Sequence, residues 1–294
     1  MKVIITIPAY NEEKTIGNVV REIKDVLKGR DYSSEVLVVN DGSSDNTEEV
    51  AKKAGAFVVS HNRNSGLAST FRTEVRECLR RRADIIVHTD ADGQYLAKDI
   101  PVLVKEVQNG ADLVLGSRFK GGIESMPRLK KLGNVAFSRV ISKITGFRIS
   151  DCQTGFRAFT KEVAESIQIT SFHTYTQEQI IRALRMNFKV VEVPTYFAKR
   201  GSGRSRLMKN PLEYALKAWI NLLRVYRDYE PLKFFGMVGA VFLGAGIIIG
   251  LFLFYNFLVT GVVGHVPLTL LSVLLMLLGF QIGLFGFLAD MLKK

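Results

Sequence analysis

The chain has 294 residues, with 40 Lys and Arg against 28 Asp and Glu, for a net charge of +12. At 47% hydrophobic residues it is too apolar for a disordered chain, and it is long enough for one large domain with an appendage. Its two cysteines, Cys78 and Cys152, have the spacing of neither a zinc site nor a redox pair, so they read as reduced thiols of a cytosolic domain.

The N-terminal stretch Met1-Lys2-Val3-Ile4-Ile5-Thr6-Ile7-Pro8 has too short an apolar run for a signal peptide and reads as a first strand, Val3–Ile7. Further strands are predicted at Glu35–Asn40, Ala56–Ser60, Asp84–Thr89 and Ala111–Gly116. Helices are predicted at Glu13–Leu27, Asp45–Ala54, Leu67–Arg82 and Lys98–Asn109. This alternation predicts an α/β domain, a mainly parallel sheet covered by helices. In such sheets ligands gather outside the carboxyl ends of the strands.

Three polar segments fall at such ends. They are Pro8-Ala9-Tyr10-Asn11-Glu12, Asn40-Asp41-Gly42-Ser43-Ser44-Asp45 and Asp90-Ala91-Asp92-Gly93-Gln94. Two carboxylates two residues apart, with an amide two residues on, suit a hard divalent cation such as Mg²⁺ or Mn²⁺ that takes substrate phosphates as its other ligands. Each segment also has a structural reading. Asn11 would cap the first helix, Ser44 or Asp45 the second, and Asp41-Gly42 is an acceptable turn. Their convergence at neighbouring strand ends favours a site. No Gly-x-Gly-x-x-Gly or Walker loop is present, which lowers dinucleotide and ATPase readings.

The positive charge is concentrated. Residues 118–148 hold eight Lys or Arg against one acid, and residues 199–233 hold nine against three, which leaves the rest near neutral. One patch follows the acidic motif and the other abuts an apolar tail. Phosphate and lipid headgroups are therefore the expected partners, rather than nucleic acid. Residues 209–231 have apolar positions at helical spacing with interspersed cations, which suits an amphipathic juxtamembrane helix or a domain-docking one. Phe234–Gly264 and Val266–Ala289 contain no Asp, Glu, Lys or Arg, and each is long enough to cross a bilayer. Arg224, Arg227 and Lys233 precede the first stretch and Lys293 and Lys294 follow the second, while the connection has no cation. The positive-inside rule then places both termini and the N-terminal domain in the cytoplasm, behind a two-span hairpin able to pack with copies of itself.

Taken together, Pro8–Glu12, Val38-Val39-Asn40-Asp41-Gly42-Ser43-Ser44-Asp45-Asn46-Thr47, Asn64-Ser65-Gly66-Leu67 and Asp90–Gln94 resemble family 2 glycosyltransferases. So do Gly116-Ser117-Arg118, Thr154-Gly155-Phe156-Arg157-Ala158 and Arg200-Gly201-Ser202-Gly203-Arg204-Ser205-Arg206-Leu207. The order is similar to the dolichol-phosphate mannose synthase and polyprenyl-phosphate glycosyltransferase branch, over residues 1 to about 210. The resemblance implies a GT-A catalytic domain at 1–208, followed by the 209–231 helix and two transmembrane helices in 232–294. It implies inverting transfer of one sugar from a nucleotide-diphosphate sugar to a polyprenyl phosphate, with Mg²⁺ or Mn²⁺.

By the same resemblance Pro8, Ala9, Tyr10, Glu12 and Asp41 hold the nucleotide. Asp90 and Asp92, with Ala91 between them, hold metal and diphosphate, and Gln94 is a possible third ligand. Arg118 meets the acceptor phosphate, helped by Arg128 or by Lys130 and Lys131, which also read as a plain basic surface. Arg200 and Arg206 close over the donor. Arg206 stands where the family often has Lys, which keeps the charge but changes a point donor into a fork. Asp151 reads as an acceptor-orienting residue, a base or a turn residue. No Gln-x-x-Arg-Trp motif is present, and Trp219 is the only tryptophan, against a polymerising enzyme. Two other readings stand: transfer to a lipid hydroxyl such as that of diacylglycerol, and a non-catalytic nucleotide-sugar-binding subunit.

Overall fold

The computed structural model describes residues 1–171, 175–199, 220, 223–262 and 266–292. The chain divides into two compact units, Met1–Tyr214 and Ala215–Lys294.

The first unit is built on a seven-stranded sheet. In chain order its elements are β1 (Lys2–Ala9), α1 (Ile16–Leu27), β2 (Ser33–Asn40), α2 (Thr47–Lys53), β3 (Phe57–Ser60), α3 (Leu67–Arg80), β4 (Ile85–His88) and α4 (Ile100–Gln108). They continue with β5 (Leu113–Ile123), α5 (Arg128–Thr145), β6 (Arg157–Thr160), α6 (Lys161–Ser166), α7 (Thr176–Arg185) and β7 (Val190–Phe197). The strand order is β3-β2-β1-β4-β6-β5-β7. β6 runs antiparallel to β4 and β5, and the other pairs are parallel. After β3 the chain returns past β1 to lay β4 on its other side. The carboxyl ends of β1 and β4 therefore flank a topological switch point, where α/β sheets leave a crevice.

The two faces of the sheet differ. On one, Ile5, Ile7, Val87, Ala158 and Val114 pack against Ile16, Val20 and Ile23 of α1 and Ile100, Leu103 and Val104 of α4 in one apolar core. Each of the valine, leucine and isoleucine side chains contributes roughly 1.5–3 kcal/mol on burial. The other face carries a polar row, because the register places Thr6, His88, Arg157, Leu115 and Glu192 side by side across five strands. From α3, Glu74 reaches His88 (Nδ1–Oε2 2.7 Å), and both side chains are fully buried. Phe71 stacks on Tyr175 beside them, with ring centroids 3.8 Å apart.

Expected and observed elements agree in order but not in every boundary. α1 starts at Ile16 rather than Glu13, because Glu13 is used outside the helix. Its N–H donates to Asp45 and its carboxylate accepts from the Asn46 N–H. Asn11 does not cap α1; Thr15 stands at that position. Neither Ser44 nor Asp45 holds the cap position of α2, which falls to Asn46 without a side-chain cap bond, although Asp45 accepts from the Thr47 N–H at 3.0 Å. β5 runs on to Ile123 because it pairs with β7. The five elements from α5 to β7 have no counterpart among the predicted ones; Glu192 and Pro194 interrupt the apolar pattern of β7, which lies at the sheet edge, where a proline is tolerated.

In the second unit, Pro231–Thr260 and Val266–Met291 are helices of mean hydropathy 2.5 and 2.3, long and apolar enough to cross a membrane. They meet through small residues. A Cβ on Gly239 would fall 2.6 Å from the Gly279 carbonyl oxygen, so only glycine permits this approach. Outward-facing Phe252, Leu258, Leu277 and Phe280 are exposed. Of the predicted 209–231 helix, residues 223–229 are helical; all but Ile220 of the preceding part lies outside the described residues.

Candidate active site

The first two motifs are knitted into one surface. Asn11, with φ of +53°, donates its N–H to Ser43 Oγ (2.8 Å) and accepts from the Ser44 N–H at Oδ1 (2.8 Å). The Glu12 N–H donates to Thr47 Oγ1 at 2.8 Å, and Thr15 Oγ1 donates to Glu12 Oε2 at 3.1 Å. Pro8 and Ala9 end β1, and Tyr10 follows, partly exposed. Asp41 is buried and fully engaged. Its Oδ1 accepts from the Ser65 N–H and its Oδ2 from the Gly66 N–H, both at 2.9 Å, and His61 Nδ1 lies 2.7 Å from Oδ1. It thus anchors the loop that starts α3.

At the end of β4, Asp90 rests against the 154–155 turn. A Cβ on Gly155 would lie 3.0 Å from Asp90 Oδ1, so this glycine admits the carboxylate. Burial, and then the neighbouring Asp92 charge, push Asp90 up to about 6; His88 and Arg118 act in the opposite direction. Ala91 is buried between the two carboxylates. Asp92 Oδ1 accepts from the Gln94 N–H at 3.1 Å. The Gln94 side chain donates through Nε2 to the Ala198 carbonyl (3.0 Å), while the Ala198 N–H donates to the Gln94 carbonyl (2.8 Å). Gln94 therefore straps the Asp90–Asp92 loop to the end of β7, with Oε1 as its remaining acceptor.

Arg118, on β5, is only 5% exposed and grips the 0%-exposed Asp151. Nε donates to Oδ2 at 2.6 Å, Nη2 to Oδ1 at 2.8 Å and the backbone N–H to Oδ2 at 3.2 Å. Nη1 has no hydrogen-bond partner among the described residues. The guanidinium also lies over the Phe197 ring, 5.2 Å from its centroid. Burial works against its charge, but Tyr95 and the Asp151 pairing hold its pKa above the ordinary arginine value. Arg128 is exposed in the first turn of α5. Arg200 and Arg206 lie outside the described residues.

Several residues of this site carried no sequence signal of their own. Tyr95 receives the Gly155 N–H at 3.3 Å and stacks on Phe156, supporting the turn beneath Asp90. Arg157 supports the same turn from the sheet, donating to the Thr154 carbonyl, the Thr176 carbonyl and Gln179 Oε1. The motif containing Arg157 was legible, but not its burial or its partners.

Two adjacent carboxylates, one pushed towards its protonated form by burial and then by its neighbour's charge, make a donor set that a hard divalent cation would relieve. Among the described residues no cluster of three or more His, Cys, Asp or Glu is arranged to hold a metal. Two carboxylates alone suit a hard cation that takes its other ligands from substrate oxygens.

The glycosyl transferase family 2 model matches residues 4–168. The chain belongs to that family. It is a glycosyltransferase of the polyprenyl-phosphate branch, and its fold is of the GT-A type. It is 34% identical to the dolichyl-phosphate hexose transferase of Haloferax volcanii over 69% of this chain and 85% of that one. It is 31% identical to the dolichol-phosphate mannosyltransferase of Pyrococcus furiosus over 93% of this chain and 78% of that one. Among solved structures, glucosyl-3-phosphoglycerate synthase from Mycobacterium tuberculosis in complex with Mn²⁺, UDP and phosphoglyceric acid has a TM-score of 0.57. The match is 20% identical and covers 75% of this chain and 78% of that one, a likeness of fold.

Proposed function

We propose that this glycosyltransferase moves one sugar from a nucleotide-diphosphate sugar, GDP-mannose or a UDP-hexose, to a polyprenyl phosphate at the cytoplasmic membrane face. The observation that carries the reading is the pairing of two unlike charge centres. Asp90 and Asp92 stand at the switch-point end of β4, and a buried Arg118, paired with Asp151 through Nε and Nη2, keeps Nη1 without a hydrogen bond among the described residues. The activities named for the relatives in Haloferax and Pyrococcus support the acceptor class. The basic segments beside two candidate spans support membrane attachment with both termini cytoplasmic.

Pro8, Ala9, Tyr10 and Glu12 line the base and ribose, and Asp41 shapes that floor by holding Ser65 and Gly66. Asp90 and Asp92 hold Mg²⁺ or Mn²⁺, with Gln94 Oε1 available beside them. The cation, when bound, neutralises charge on the departing diphosphate. Arg200 and Arg206 add donors to the same leaving group. In the reaction the anomeric C–O bond to the diphosphate breaks, a C–O bond to an acceptor phosphate oxygen forms on the opposite face, and the nucleoside diphosphate leaves.

The acceptor phosphate is ionised at neutral pH, so the chain need not supply a strong base. Arg118 Nη1 receives it, with Arg128 guiding its approach, and Asp151 orients Arg118. Both Asp151 carboxylate oxygens are engaged by the Arg118 guanidinium, so neither is placed to meet a lipid hydroxyl, which favours the phosphate acceptor. The test is a donor panel with polyprenyl phosphate in membranes, following label into extractable lipid. One donor should give labelled lipid, lost with EDTA and in Asp92→Ala. Metal-dependent nucleotide binding with no lipid product from any donor would overturn the acceptor assignment.

A further inference from the structure

We propose that Glu192 is a positioning residue for Arg118, acting through the turn that carries Asp151; the inference rests on the role given to Arg118 above. Glu192 is on β7, three strands away from the Asp90 motif, and its side chain is 2% exposed. Its Oε1 accepts three hydrogen bonds from two consecutive residues: the Ser150 N–H at 2.8 Å, Ser150 Oγ at 2.9 Å and the Asp151 N–H at 3.1 Å. Its Oε2 pairs with Lys120 Nζ at 3.0 Å.

Ser150 and Asp151 lie in an irregular segment between α5 and β6, with no strand ladder to hold them. Their N–H groups are instead fixed by this one carboxylate oxygen. Asp151 in turn sets the guanidinium of Arg118 through two side-chain bonds and a backbone bond. The link from β7 to Arg118 is therefore continuous, and each step is a charge-assisted bond of 3.2 Å or less.

A second strand of bonds closes the loop. Ser117 Oγ and Ser150 Oγ are 2.6 Å apart, and the Lys120 N–H donates to Ser117 Oγ at 3.2 Å. An ionised Glu192 can only accept and the Lys120 N–H can only donate. The hydroxyl direction is thus set: Lys120 N–H to Ser117, Ser117 to Ser150, Ser150 to Glu192. Such a one-way chain polarises each bond in the same sense. Ser117 is the residue before Arg118, so both sides of the Arg118 backbone are tied to Glu192. Lys120 balances the Glu192 charge, so the network places Arg118 without adding net charge beside it.

The test uses full-length protein in lipid nanodiscs, polyprenyl phosphate in varied amounts, and the nucleotide sugar that gives product in the donor panel. Glu192→Gln keeps an oxygen for Ser150 and Asp151 but loses the charge, while Glu192→Ala loses both. Acceptor KM is expected to rise about tenfold in the Gln variant and further in the Ala variant, since small displacements of a positioned group cost this much or more. Donor affinity should stay within about twofold, a split that general loosening of the fold does not produce. In an Arg118→Lys background, Glu192→Gln should add little, because the two act in series.

An unchanged acceptor KM in both Glu192 variants, with a raised one in Arg118→Lys, would overturn the relay and leave the Arg118 role standing. Equal losses of donor and acceptor affinity, or full additivity in the double variant, would also overturn it. An unchanged acceptor KM in Arg118→Lys would remove the Arg118 reading and the relay with it.

Discussion

The backbone of Gly155 lies against the carboxylate of Asp90, so closely that a Cβ there would stand 3.0 Å from Oδ1 and 3.3 Å from Oδ2. Gly155 sits two residues before β6, which is reversed relative to its neighbours, and β6 pairs directly with β4, whose end carries Asp90. The turn is held by Tyr95 on one side and Arg157 on the other, so it cannot readily yield. Gly155→Ala is therefore expected to displace Asp90 and lower kcat/KM at least tenfold, or about 1.4 kcal/mol. Mn²⁺ affinity, read by electron paramagnetic resonance on the nucleotide complex, should weaken in parallel.

Asp151→Asn tests the buried pair. It leaves Arg118 without its counter-charge in a site only 5% exposed. A loss of about 3–5 kcal/mol is expected in chemical unfolding, because an uncompensated buried charge is costly. Replacing both partners by Leu should recover much of that stability but no activity. If Asp151→Asn abolished turnover while leaving stability intact, the carboxylate would be acting as a base.

Asp41 accepts two backbone N–H bonds and faces His61. Asp41→Asn puts an amide N–H against one of these donors. The expected cost is about 1–3 kcal/mol, seen as a lower melting temperature. Nucleotide affinity of the folded protein, measured by calorimetry well below that temperature, should fall as well, because the floor formed by Ser65 and Gly66 loses one of its ties.

Glu178 carries the acid sensitivity of α7. Burial raises its pKa, but the N–H groups of Thr170 and Ser171, the Thr170 hydroxyl and Arg182 outweigh burial and hold it below the ordinary 4.5. A depressed folded-state pKa means stabilisation that is present above about 4.5 and lost as pH falls through the folded value. Thermal melting of the wild type should therefore drop more steeply below that pH than melting of Glu178→Gln, which starts lower and stays flatter.

The sequence determined what local chemistry can encode. Asp90 and Asp92 follow an apolar strand, Asp41 follows another, and Pro8–Glu12 follows the first. Alternation and turn residues therefore place three motifs at strand ends, whatever the pairing of the strands. The two apolar helices were equally plain, because composition alone makes them unsuited to water. Tertiary structure decided the rest, because it depends on contacts between residues far apart in the chain. The reversal of β6, the edge position of β7, and the 33-residue reach from Arg118 to Asp151 leave no periodic trace. Glu192 read as a charge interrupting a strand, and Arg157 as one residue of a motif. Only the sheet register, which brings Thr6, His88, Arg157 and Glu192 into one row, turned them into supports for the site.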